Sequence, residues 1–90
     1  MENFNLEELK EYVKKELELT PNPRVIHCYS RANRNEEHTF VISDKDIIFN
    51  RPWKFGPQRI SKGDYIHANL LDVYVIRQDI FDLCYRKVSK

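Results

Sequence analysis

The sequence predicts an α+β fold: an N-terminal amphipathic helix, then a curved, mainly antiparallel sheet of about five strands, closed by a short C-terminal helical turn. Three observations carry this expectation. Apolar residues in the first twenty positions recur at helical spacing. Pro21 and Pro23 end that pattern. From Arg24 onward the apolar period is two, in runs rich in β-branched and aromatic residues. With 90 residues the chain reads as one domain, residues 1–22 forming the helix and proline-rich connector and residues 23–90 the β-rich body. Folding such a length removes roughly 60–65% of the chain's surface from water, enough for one modest core and no separate cofactor domain.

The helix has a defined start. Asn5 is placed to cap the first free amides, Glu8 to reach back as in a capping box, and Phe4 to pack on Leu9 as a hydrophobic staple. Leu6, Leu9, Val13 and Leu17 then recur at spacings of three and four, with Tyr12 and Leu19 widening the stripe. The prolines disfavour helical geometry in the residues before them, which sets the end near Thr20.

Strands are expected over residues 24–30 and 38–43, joined by a polar, mobile connection over 31–37, with a third short strand over 47–49. The segment 51–57 carries Pro52 and Pro57, which lack the amide hydrogen a ladder needs, so it reads as a loop bearing Trp53 and Phe55. Residues 60–66 read as a turn entering a strand and 72–77 as another. Asp79 is placed to cap a closing helical turn with Phe81 and Tyr85 on one face. Asn22, Asn33, Asn35, Asn50 and Asn69 stand between apolar runs, where asparagine tolerates positive φ and bonds nearby backbone.

Composition excludes several classes. A mean hydropathy of −0.66, with no run near the roughly 20 apolar residues of a spanning helix, argues against a membrane protein. The start has no basic segment followed by an apolar stretch, so no secretory signal is expected and the chain reads as cytoplasmic. Cys28 and Cys84 form no C-x-x-C pair and are expected as small buried side chains. His27 and Cys28 are neighbours on a strand and point to opposite faces, so they make neither a metal site nor a nucleophilic pair. His27, His38 and His67 read as polar residues of a solvated strand face. With no phosphate-binding glycine loop and no carboxylate pair of known spacing, no catalytic residue, metal ligand or cofactor is assigned, and the chain reads as non-enzymatic.

Charge is more informative. Fifteen basic residues nearly balance fourteen acidic ones, yet residues 1–22 carry a balance of −3 and residues 23–90 one of +4. Arg24, Arg31 and Arg34 surround the first strand pair, while Arg51, Lys54, Arg59 and Lys62 accompany the aromatic loop. Basic groups beside Trp53 and Phe55 suit phosphate pairing and base stacking, whereas a pI of about 7.8 is below that of a typical nucleic-acid domain. The helix glutamates Glu7, Glu11, Glu16 and Glu18 suit a basic groove on another protein.

Gly63-Asp64-Tyr65-Ile66, then Tyr74, then Asp79-Ile80-Phe81 and Tyr85 resemble the C-terminal pattern of small phage and prophage proteins. Those proteins carry a Pro-Gly-Asp-Tyr-Ile motif, a Tyr-Pro-Val strand and a closing Asp-Ile-Phe segment. Lys62, Leu71-Asp72 and Gln78 depart from the pattern, which covers residues 61–87. The resemblance implies a phage-encoded protein acting in the bacterial cytoplasm and carries over no catalytic activity. Gly63, Asp64, Tyr65, Phe81 and Tyr85 have structural roles available to them in turn and core. The leading expectation is a protein that binds and inhibits a host or defence macromolecule through Arg31, Arg34, Arg51, Trp53, Lys54, Phe55 and Arg59. The alternatives are an RNA- or single-stranded-nucleic-acid-binding module and a small-nucleotide sponge.

Overall fold

A computed structural model describes residues 1–52, 56–69 and 71–88. The element order is β1 (Glu2–Asn5), α1 (Leu6–Glu18), β2 (Val25–Ser30), β3 (Glu37–Ile42), β4 (Ile47–Asn50), β5 (Gln58–Ile60), β6 (Tyr65–Ala68), β7 (Val73–Ile76), α2 (Gln78–Cys84) and β8 (Tyr85–Lys87). The α+β class holds, with the five-stranded sheet ordered β7-β6-β3-β2-β8 and every pairing in it antiparallel. A second sheet, β1-β4-β5, was not expected. Its β1 runs parallel to β4, and β5 completes it between the loop expected over 51–57 and the turn expected from residue 60.

The helix begins as its sequence dictates. Glu8 N donates to Asn5 Oδ1 at 2.8 Å and Asn5 N donates to Glu8 Oε1 at 3.1 Å, a complete capping box. Its buried stripe is Leu9, Val13 and Glu16, whereas Leu17 and Leu19 are exposed, contrary to expectation. The cause is Arg24, whose guanidinium, with the Asn22 amide, engages the Glu16 carboxylate and draws that face of the helix inward. Glu16 therefore does not belong to an acidic docking face. Arg24 also lies 3.6 Å from Asp44 Oδ1 and donates to Ile42 O, so it braces the helix on the sheet instead of joining a surface cluster.

The large sheet is covered on both faces. Leu9 and Val13 pack with Val41, Ile66, Val73 and the small-sheet residues Ile47, Phe49 and Ile60. Cys28, Phe40, Tyr65 and Phe81 form a second cluster. Because Phe40 and Val41 are neighbours on one strand, as are Tyr65 and Ile66, the clusters occupy opposite faces. The two helices thus lie on opposite sides of the sheet.

The resemblance residues form a joint between turn and core. Gly63 has φ +97°, Asp64 is buried, and its Oδ2 accepts from Ser61 N at 2.9 Å. The Tyr65 and Phe81 rings stack at 3.8 Å, and Phe81 stacks on Tyr85 at 5.4 Å. The asparagines serve the turns without positive φ. Asn22, Asn33 and Asn69 each accept a backbone amide two positions on, and positive φ among the described residues is confined to Gly56 and Gly63. Asp79 lies inside α2, bonded to Arg77, and Arg77 takes the cap position without a side-chain cap bond. Cys28 is buried, but Cys84, expected buried, is exposed at the end of α2.

Candidate functional site

The strand β8 gathers the first group of candidate residues. It pairs with β2 so that Tyr29 lies opposite Arg86, and Val88 N donates to His27 O at 2.9 Å. The β2–β3 connection is tied to α2 by Arg31 N donating to Cys84 O at 2.9 Å and Arg31 Nε donating to Asp82 O at 2.8 Å. A cation at those terminal helix carbonyls is the favourable arrangement. Arg31 and Arg34 thereby meet Arg86 and Lys87 around a depression of about 450 Å³ that has Tyr29 in its wall and, among the described residues, no acidic one. All four cations are exposed and, among the described residues, none forms an ion pair. Lys87 Nζ lies 5.8 Å from the Tyr65 ring centre.

Arg51 and Arg59 are elsewhere. Arg51 stacks over Phe49 at 4.5 Å, donates to Asp72 Oδ1 at 3.1 Å and Val73 O at 2.7 Å, and bonds Gln58 Oε1. Its side chain is 8% exposed, so it joins β4, β5 and β7. Arg59 is exposed and lies 3.7 Å from Asp46 Oδ2. Trp53, Lys54 and Phe55 lie outside the described residues. The basic group suggested by sequence is therefore divided: Arg31 and Arg34 join Arg86, which the sequence did not single out, while Lys87 lines the same depression with its ammonium turned toward Tyr65.

A larger cleft, about 840 Å³, opens on the face of the sheet that holds α2. His38, His67, Tyr74 and Tyr85 line it from the sheet, and Arg51, Gly56, Pro57 and Gln58 from the β4–β5 side. The register explains the convergence, since His67 is paired with Tyr74 and alternation puts His38 and Phe40 on the same face. The His38 ring meets the His67 ring edge-on at 5.9 Å and the Tyr85 ring edge-on at 5.5 Å. His67 Nδ1 lies 2.9 Å from Thr39 O, and His38 Nε2 3.6 Å from Glu36 Oε1. Burial pushes the Tyr85 hydroxyl above the ordinary tyrosine range. His38 and His67 are thus half-buried walls of a cleft, not members of a solvated face; only His27, on the other face beside Thr39 and Glu37, fits that description.

The chain matches no protein-family model, no curated protein and no solved structure.

Among the described residues no group of three or more His, Cys, Asp or Glu converges on a metal position. No described helix is long and apolar enough to cross a membrane. The pairing of β2 with β8 was the missing signal for Arg86 and Lys87. Their nearness to Arg31 follows from the return of the chain after α2, not from any local motif.

Proposed function

We propose that this chain is a small non-enzymatic protein of phage type, acting in the cytoplasm of a bacterial host, that binds and inhibits a host or defence protein through an acidic surface of that partner. The observation that carries the reading is the convergence of Arg31, Arg34 and Arg86, three exposed cations that form no ion pair among the described residues, around Tyr29. Arginine and tyrosine are preferred interface anchors, because a planar guanidinium or phenol gives much contact for little lost freedom. Clustered exposed cations also steer an acidic surface into place before contact.

The test compares wild type with Arg31→Glu/Arg34→Glu/Arg86→Glu as baits in nuclease-treated bacterial lysate at about 0.15 M salt. The expected result is a discrete acidic protein retained by wild type, lost with the variant, and inhibited when the purified pair is assayed. Equal recovery by both baits rejects the patch. Recovery that nuclease treatment abolishes assigns the patch to nucleic acid instead.

A further inference from the structure

The cleft between the β4–β5 side and the sheet takes no part in the proposed partner contact, and its lining has its own chemistry. We propose that it is a binding site for an uncharged purine nucleoside, which stacks on Tyr74 and is read at its edges by His67, Gln58 and Asn69. The volume of about 840 Å³ lies within the range of about 300–1,000 Å³ usual for small-molecule sites. Tyr74 is nearly parallel to His67, with ring centres 6.4 Å apart and planes inclined by 19°, yet remains 53% exposed. It offers a flat, supported aromatic surface, on which a purine gains more than an aliphatic ligand of equal size.

The polar groups are committed on one side and available on the other. His67 Nδ1 donates to Thr39 O, so in the neutral ring Nε2 is an acceptor. Gln58 gives its carbonyl oxygen to Arg51, and Asn69 gives its own to the Leu71 and Asp72 amides. Each side chain also carries an amide nitrogen that can donate. One acceptor and two donors match the mixed edge of a purine. Phosphate is disfavoured, because Arg51 is already paired with Asp72 and Glu36 brings a carboxylate to the rim.

The experiment is a titration of the full chain with adenosine, guanosine and adenosine monophosphate, followed by amide NMR shifts. Saturable shifts at His67, Tyr74 and Gln58 are expected with a nucleoside, and the monophosphate binds no more tightly. Tyr74→Ala and Tyr74→Leu each weaken binding about tenfold or more, the scale of one lost stacking contact, while the dispersed spectrum shows that both remain folded. The Arg31→Glu/Arg34→Glu/Arg86→Glu variant retains nucleoside binding, which separates this site from the partner patch. The proposal is overturned by the absence of saturable cleft shifts with both nucleosides, by clearly tighter binding of the monophosphate, or by shifts centred on Arg31 and Arg86.

Discussion

The Tyr12 hydroxyl donates to Asp44 Oδ1 at 2.6 Å, joining the middle of α1 to the turn between β3 and β4. The same oxygen accepts from Asp44 N and from Arg24 Nη1, each at 3.3 Å, so one phenol is held by three partners. The hydrogen bond from Tyr12, reinforced by the Arg24 charge, holds the Asp44 carboxyl below its ordinary range. A carboxyl depressed in the fold contributes stability that is present above its unfolded pKa of about 3.9 and is lost as pH falls through the folded value. Tyr12→Phe is therefore expected to cost about 1 kcal/mol at neutral pH and less in acid, where wild type has also lost the bond to a charged acceptor. Urea midpoints from neutral pH down to about pH 3 check this, and a pH-independent difference between the two proteins rejects it. Burial places the Tyr12 hydroxyl itself above its usual range, so a second loss is expected as pH rises past about 10.

Glu16 and Arg24 make the other half of this brace. The Glu16 side chain is 11% exposed and that of Arg24 28%, so removing the carboxylate strands a half-sheltered guanidinium. Asp44 remains as a second partner, which limits the damage. Glu16→Gln is expected to destabilise by about 1–3 kcal/mol, below the cost of breaking a fully buried pair. Glu16→Gln/Arg24→Met is expected to cost less than the sum of the single changes. Additive effects in the double-mutant cycle would show that the pair is not coupled.

These two contacts mark the limit of what the sequence disclosed. Asn5 and Glu8 announce the start of α1 because capping is local chemistry, and the prolines announce its end for the same reason. The burial of Glu16 depends on Arg24 returning beneath the helix, which periodicity cannot express. The strand β1 escaped notice because Glu-Asn-Phe-Asn has a single apolar residue and its ladder partner Ile47 is distant in the chain. The basic patch was half legible. Arg31 and Arg34 stand in an evident polar connection, but Arg86 reaches them only through the β2–β8 register. The cleft histidines were undervalued because facing strands, not neighbours in sequence, bring His38 and His67 together.

The two cysteines are expected to react very differently. Cys84 is exposed, whereas Cys28 is fully buried, lies 3.6 Å from His38 O, and has a thiol pushed up to about 11 by burial. Thiolate is the reactive form, so access and pKa both protect Cys28. A disulfide reagent applied to the native protein is expected to modify one thiol quickly and the other only in denaturant. Two fast equivalents in the native state reject the assignment. The stabilising contribution of the neutral Cys28 thiol is present below the ordinary value of 9.0 and is lost as pH rises toward about 11.

Gly63 and Gly56 allow strain to be separated from crowding. Both have positive φ, +97° and +76°, so alanine at either position carries a conformational cost of about 1–2 kcal/mol. Among the described residues a Cβ at Gly56 would meet nothing within 4 Å, while one at Gly63 would come within 3.0 Å of Gln78 Oε1. That oxygen ends a flexible side chain, which can swing aside at little cost. Gly63→Ala is therefore expected to resemble Gly56→Ala in its loss of stability, and adding Gln78→Ala to Gly63→Ala is expected to restore little. Chemical denaturation of the three variants decides between the causes. If removing the Gln78 side chain recovers most of the loss, the glycine is required for space; if it does not, the turn through Ser61, Gly63 and Asp64 requires its backbone angle.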